Sequence, residues 1–417
     1  MNESYRRPLQ SRTVLISGAG IAGPTLAYWL LQHGFTPTLV ERAPALRTGG
    51  YMIDFWGVGY DVAERMGLLP TLRRDGYRLG EVRLVDAAGR RIAGFDARVF
   101  DAASQGRYFS LLRWDLARRI YELVDGRVET IFGDSVAALH EDVTGVEVTF
   151  AHAPPRRFDL VVGADGLHSR VRALTFGDGQ PRAGAGDDGD DGDGTAAERY
   201  LGYYVAAFSV DDYPHRDEGA YVSYALPGRQ AARYALRESR SAFLLVLARD
   251  EPLALDPHDA AAQRALLQRC FAGAGWECDE ILAAMERAGD FYFDAVAQTR
   301  LPTWSRGRIV LLGDAAYCPS LLAGQGSALA MAGAHVLAHA LAAAEGDHAA
   351  AFAAYERRFK PFVDAKQRAA VRFAGWFAPR TRVGLWLREL ATNLLAVPLV
   401  GDVMAARSFG DRFELPA

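Results

Sequence analysis

The feature that most constrains this chain is a strand, a glycine turn and a helix in direct succession. Thr13-Val-Leu-Ile-Ser is followed by Gly18-Ala-Gly20-Ile-Ala22-Gly23, then by Pro-Thr-Leu-Ala-Tyr-Trp-Leu-Leu31. The apolar run reads as a buried strand, and the glycines have the G-x-G-x-x-G spacing of a dinucleotide turn. The first glycine lets the chain reverse tightly, the second lets backbone approach a pyrophosphate, and the third lets helix and strand pack closely. N–H groups at the helix start, backed by the positive end of the helix dipole, then face the diphosphate. Thr36-Pro-Thr-Leu-Val40 reads as a second strand ending on Glu41-Arg42. An acid about 20 residues beyond the turn suits the hydroxyls of an adenosine ribose. Gly184-Ala-Gly186-Asp-Asp-Gly189 repeats the spacing, but no strand precedes it and no helical pattern follows. That second match carries no meaning.

Composition narrows the setting. With 417 residues the chain has room for more than one domain and a large core. Its formal net charge is −4 and no basic tract stands out, which excludes a polyanion such as nucleic acid as partner. Cys270, Cys278 and Cys318 are odd in number and form no C-x-x-C pair, so a reducing cytoplasm is expected rather than a disulfide framework. The polar start, Met1-Asn-Glu-Ser-Tyr-Arg-Arg, resembles no signal peptide. The most apolar later stretch, Ala328 to Ala344, contains His335 and His339 and falls short of a membrane span. A soluble cytoplasmic monomer or homodimer is expected.

Along the chain, a helix is predicted from Gly57 toward Met66. Strands are predicted at Leu79–Val85 and Arg91–Phe95 around the hairpin signal Asp86-Ala-Ala-Gly89, and at Arg107–Ser110. Arg113–Val124 has helical periodicity, and three short strands and the buried run Phe158–Asp165 follow. The tract Gly177–Thr195, rich in Asp and Gly, cannot build a core and reads as an inserted loop. From Arg199 to Arg249, alternating aromatic, aliphatic and polar residues indicate an antiparallel sheet of at least four strands. Helices are predicted at His258–Cys270 and Cys278–Arg287, a strand near Phe291–Ala297, another strand and turn at Arg308–Asp314, and helix from Ala349 on. The expected fold is α/β: a Rossmann-like, discontinuous dinucleotide domain of mixed sheet (1–75, 100–176 and 299–370) with an inserted antiparallel-sheet substrate domain (76–99 and 196–298). The acidic loop (177–195) and a C-terminal helical segment (371–417) complete the division.

Four features now stand in order: the glycine turn with Glu41-Arg42, Arg113 opening a helix, Gly163-Ala-Asp165-Gly-Leu-His-Ser-Arg-Val-Arg172, and Gly313-Asp314-Ala-Ala followed by Gly324-Gln-Gly326-Ser327. This arrangement resembles the single-component FAD-dependent aromatic monooxygenases, the group around p-hydroxybenzoate hydroxylase. Within it, Gly49-Gly-Tyr-Met-Ile-Asp54 resembles the tetracycline-inactivating and antibiotic-tailoring members. The resemblance implies FAD as cofactor, NADPH or NADH as co-substrate, O2, and a small aromatic or polyketide-like substrate. It places Gly18, Gly20, Ala22 and Gly23 against the dinucleotide, Glu41 on the adenosine ribose and Arg42 at the adenine end. Arg113 would reach the ribityl–phosphate portion and Asp314 a ribityl hydroxyl, with Gly313 turning the chain between strand and helix. Gly324, Gly326 and Ser327 would offer N–H groups to the flavin edge, where donors stabilise the charge of the reduced ring. Asp165 would lie behind the pyrophosphate, Asp54 would contact FAD, and Arg47 would contact NADPH.

Three positions depart from the family pattern. Tyr317 stands where histidine is common, the usual proline falls at Ser320, one place after Pro319, and the usual asparagine is Ser327. These departures motivate one alternative, a flavin-binding or drug-sequestering protein that has lost oxygenation; the other alternative is a flavin oxidoreductase without oxygen insertion on the same fold. No Trp-x-Trp-x-Ile segment supports a halogenase. The resemblance names no catalytic base. Trp56, Tyr203, Tyr204, Phe208, Tyr221 and Tyr224 are candidates either for a substrate pocket or for ordinary packing.

Overall fold

A computed structural model describes residues 12–46, 49, 51–177, 197–397 and 413–417. Arg47 and nearly all of the acidic tract lie outside the described residues.

The expected α/β fold is present, with its strands drawn from widely separated segments. A six-stranded sheet runs in the order Ser305–Arg306, Ile309–Leu311, Leu160–Gly163, Thr13–Ser17, Thr36–Glu41 and Glu129–Phe132. All its pairs are parallel except the first, at the edge. Val14, Leu15, Ile16 and Leu160 to Val162 have no solvent exposure, as expected of parallel strands covered on both faces. The helix Ala22–Gln32 packs along the long helix Gly326–Ala343, whose buried residues include Leu329, Met331, Leu337 and Leu341. Among the described helices, Gly326–Ala343 is long and apolar enough to cross a membrane, yet most of it is buried inside the protein. Its apolar character is explained by its place in the core.

A seven-stranded sheet stands beside this unit, ordered Tyr292–Thr299, Glu198–Asp211, Arg240–Ala248, Arg229–Ala235, Ala220–Leu226, Glu81–Val85 and Arg91–Asp96. It is antiparallel except between Ala220–Leu226 and Glu81–Val85. Those two strands lie far apart in the chain, so no hairpin obliges them to run oppositely. The outer face buries Phe208, Phe243, Leu245 and Tyr224 against the helices Ala260–Phe271 and Cys278–Arg287. Asp259 caps the first of these by accepting the Ala262 N–H. The inner face looks toward the two-stranded ribbon of Met52–Trp56 and Tyr108–Leu112.

Helices Gly326–Ala343, His348–Phe377 and Arg382–Leu395 close the C-terminal side. The helical pattern does not reach the end of the chain: Phe413–Ala417 is extended coil, pinned where the Phe413 ring meets Phe359 and Phe362 at 5.2 and 5.0 Å. Burial of these aromatics, rather than helix propensity, decides that segment.

Candidate flavin site

The glycine turn is built by backbone contact. Gly18 has φ +107°, donates its N–H to Val40 O at 2.7 Å, and leaves 2.4 Å between an added Cβ and Ala164 O. A Cβ on Gly23 would stand 1.9 Å from Gly18 O, so strand and helix meet there with no room for a side chain. Gly20 is the opposite case, because no heavy atom lies within 4 Å of its would-be Cβ. Two glycines are required by the protein's own packing, and the middle one opens onto free space. The helix Ala22–Gln32 has no side-chain cap and no acid in its first turn, so its leading N–H groups face that space unspent.

Glu41 closes the turn from the second strand. One carboxylate oxygen accepts the Ala19 N–H at 2.9 Å and the other the Ala43 N–H at 3.0 Å. The acid therefore ties the two strand ends together while each oxygen retains a lone pair. Arg42 beside it is exposed. Asp165 orders the neighbouring loop, accepting from Ser169 Oγ, Arg170 N and Val171 N at the start of the helix Arg170–Phe176. Burial raises its carboxyl above the usual range, against these hydrogen bonds.

At the far end the site is electrostatic. Gly313 (φ +64°) turns the chain from the strand Ile309–Leu311 into the short helix Asp314–Tyr317. No side chain caps that helix, so the Asp314 carboxylate is not used as a cap. Burial raises the Asp314 carboxyl, while Arg113 and then a hydrogen bond with the Cys318 thiol draw it back. Arg113 opens the helix Arg113–Glu122 and donates its backbone N–H to Tyr51 O at 3.1 Å. Burial works against its charge, but Tyr51, Asp314 and Tyr292 outweigh it and hold the guanidinium above its ordinary value. A Cβ on Gly326 would lie 3.5 Å from Asp314 Oδ1, so the start of the helix Gly326–Ala343 abuts this pair. That helix also lacks a side-chain cap and a first-turn acid, and Gly324 before it is left-handed at φ +65°. Residues 324–327 remain partly accessible although the helix behind them is core.

Of the family-pattern departures, Tyr317 has a packing basis. Tyr317 turns away into the core, 1 % exposed, with its hydroxyl 3.1 Å from that of Tyr355 and its ring against Trp304. Ser320 adopts φ +128° and buries its hydroxyl with no hydrogen-bond partner among the described residues. Cys318 is a buried thiol, 6 % exposed, whose pKa burial pushes far up. A thiol held so strongly protonated is a poor nucleophile.

The six aromatic candidates divide by strand alternation. Phe208 and Tyr224 pack under the outer helices, Tyr204 stacks on Phe293 outside, and Tyr203, Tyr221 and Trp56 face inward. The motif reading missed Tyr51 and Tyr292, which gather around Arg113, and Asp294, whose charge acts on both of these phenols. Only Tyr51 had a signal, its place in the Gly49–Asp54 segment. Asp54 itself lies on the ribbon and accepts from Tyr108 OH at 2.7 Å and Ser110 Oγ at 2.8 Å.

A rigid glycine cradle, two uncapped helix starts and an opposed Arg–Asp pair suit a ligand with a diphosphate and a polar ring system. The sequence matches the FAD binding domain family over residues 11–370. An uncharacterized protein of Mycobacterium tuberculosis is 38% identical over 85% of this chain and 92% of its own length. A flavin-dependent monooxygenase from an unidentified prokaryote is 35% identical over 86% of this chain and 88% of its own. Among solved structures, tetracycline destructase Tet(55) superposes with TM-score 0.80 at 30% identity, covering 99% of this chain and 100% of that one. HpxO of Klebsiella pneumoniae, complexed with FAD and uric acid, shares the fold at TM-score 0.73 and 22% identity, over 94% of this chain and 97% of its own. FAD is thus the cofactor that this cradle fits, and the chain belongs to the FAD-dependent monooxygenase family.

Proposed function

We propose that this protein uses NADPH or NADH and O2 to insert one oxygen atom into an aromatic or polyketide-like small molecule, within the cytoplasm. The observation that carries the reading is the Arg113–Asp314 pair set against the uncapped start of the helix Gly326–Ala343. Likeness to Tet(55) along the whole chain supports a polycyclic, oxygen-rich substrate. The absence of a disulfide among Cys270, Cys278 and Cys318 supports a reducing compartment.

In this reading Gly18, Gly20, Ala22, Gly23 and the helix start behind them hold the diphosphate, with Asp165 ordering the loop behind it. Glu41 and Arg42 address the adenosine, and Arg113 and Asp314 address the ribityl chain. Gly324, Gly326 and Ser327 present backbone N–H groups to the electron-rich edge of the ring, where fixed donors favour negative charge. The flavin, when bound, supplies hydride acceptance and oxygen activation. The chain's own part is to hold the ring, place the substrate between ribbon and sheet, and keep water out.

The test is direct. Purified protein should carry the yellow absorbance of FAD and show NADPH-dependent O2 uptake that rises when hydroxylated polycyclic aromatics are added. Flavin reduction without any substrate-dependent oxygen product would overturn oxygen insertion but leave flavin binding intact.

A further inference from the structure

The helix Arg382–Leu395 is covered on one side and bare on the other. Thr381 caps its start by accepting the Gly384 N–H at 3.0 Å, and Leu385, Arg388 and Thr392 form its buried side. Arg388 donates to Gln230 Oε1 at 2.7 Å and to Phe377 O at 3.0 Å, and Asn393 Oδ1 accepts the Gly94 N–H at 3.3 Å. These contacts fix the helix to the seven-stranded sheet, mainly at its edge strand Arg91–Asp96. A helix this short is marginal by itself, so docking sets its orientation. The opposite side carries Val383, Trp386, Leu387, Leu390 and Leu394, spaced by three and four residues and therefore in one stripe. Val397 extends the stripe past the helix end, where its N–H still bonds to Leu394 O at 3.1 Å. These six side chains are between 43 and 67 % exposed, and among the described residues only two other large apolar side chains, Ile92 and Val143, are exposed.

Exposed apolar residues scattered singly need no explanation, but a continuous stripe of six does. Its order points to what covers it. The stripe is symmetric about Leu390: Trp386 and Leu394 lie four residues to either side, and Val383 and Val397 lie seven. Laid antiparallel against a copy of itself on a two-fold axis through Leu390, the stripe meets Leu390 with Leu390, Trp386 with Leu394 and Val383 with Val397. No charge falls on the stripe, so self-pairing opposes no like charges along the seam. The same arrangement sets the exposed Arg382 at one helix start beside the carbonyl end of the other, where the dipole is negative. Six side chains about half exposed offer roughly 500 Å² per copy, or about 1,000 Å² for the pair, the size at which specific interfaces begin. A bilayer surface suits the stripe less well. Helices that lie in a bilayer carry cations along their polar side, whereas here that side is docked on the sheet and its arginine, Arg388, is buried.

We propose that this stripe is an interaction surface for a second copy of the same chain, joined by antiparallel pairing of the two helices Arg382–Leu395 about Leu390. The interface is isologous, so each copy gives and receives the same contacts and the assembly closes at two. Trp386 is its anchor, the largest side chain of the stripe and 58 % exposed in the single chain. None of the six residues takes part in the candidate flavin site, so the inference stands apart from the monooxygenase reading.

The experiment measures the mass of the full chain by sedimentation velocity from about 1 to 200 µM, since interfaces near the lower size limit associate at micromolar concentrations. Wild type should reach twice the chain mass at the upper end. Leu390→Arg sets two like charges on the axis and should weaken association at least about hundredfold, with flavin content and circular dichroism unchanged. Leu390→Glu should do the same. An equimolar mixture of the two should recover the double mass, because only a two-fold contact brings position 390 against itself. Wild type of single mass throughout, a dimer that both substitutions leave intact, or a mixture that stays at single mass would each overturn the proposal. Single-mass wild type that floats with vesicles of phosphatidylcholine and phosphatidylglycerol would overturn it in favour of a membrane surface.

Discussion

The two ends of the candidate cofactor groove are specified by different physics. At Gly18–Gly23 the requirement is steric: backbone fills the space on two sides of the turn and leaves the third open. At Arg113, Asp314 and Gly326 the requirement is electrostatic, with opposed charges partly buried at an uncapped helix start. A steric requirement leaves its mark as glycine at fixed spacing, whereas an electrostatic one is met by residues scattered through the chain. In the proposed reading the first end anchors the dinucleotide, and the second end decides what is done with it.

Substitutions can break this contrast. The largest effect is expected from Gly23→Ala, whose methyl would meet Gly18 O at 1.9 Å. Overpacking of this kind costs about 1–3 kcal/mol or more, so thermal melting should show a lower Tm and the flavin should be lost together with the fold. Asp314→Ala should separate binding from folding. Losing a charge-assisted hydrogen bond costs about 1.5–3 kcal/mol, a roughly ten- to hundredfold drop in FAD retention by gel filtration. The Tm of the flavin-free protein should not fall, because burial already disfavours this carboxylate.

A smaller and sharper effect is expected at Gly20. Its methyl would meet nothing within 4 Å in the protein, so Gly20→Ala should leave flavin-free stability within about 0.5 kcal/mol while weakening FAD binding several-fold. Equal losses of stability in Gly20→Ala and Gly23→Ala would erase the distinction between packing glycine and ligand glycine. The smallest effect concerns His168, raised to about 10 by Asp294 and then Glu198. A raised pKa favours the charged folded form, so its contribution is complete below about 6.5 and fades as pH climbs toward 10. The Tm difference between wild type and His168→Gln should shrink across that window, and a constant difference would contradict the ion pairs.

The sequence carried the fold further than it carried the site. Residues 13–41 specify strand, turn, helix and strand by periodicity and glycine spacing, and the structure has them at those places. The run from Arg199 to Arg249 announced its sheet through short aromatic and aliphatic stretches broken by turn signals at Pro227-Gly228 and Arg237-Glu-Ser239, although its strands are buried on both faces. Its parallel pairing with Glu81–Val85 was illegible, since that contact spans most of the sheet's insertion and leaves no local pattern. The same limit applies to chemistry. Tyr292 reaches Arg113 only through the register of a strand paired with Glu198–Asp211, and Lys366 reaches Trp56 only through the packing of the helix His348–Phe377. Motifs announce groups that must sit close together in the chain, and tertiary packing assembles the rest.

The central claim is that this chain places reduced flavin beside a substrate so that one atom of O2 enters the product. FAD-loaded protein supplied with NADPH, isotopically heavy O2 and a panel of hydroxylated polycyclic aromatics should yield a product heavier by one labelled oxygen, with NADPH consumed in step. Unlabelled product, or NADPH oxidation in which all the oxygen ends as hydrogen peroxide across the whole panel, would contradict it.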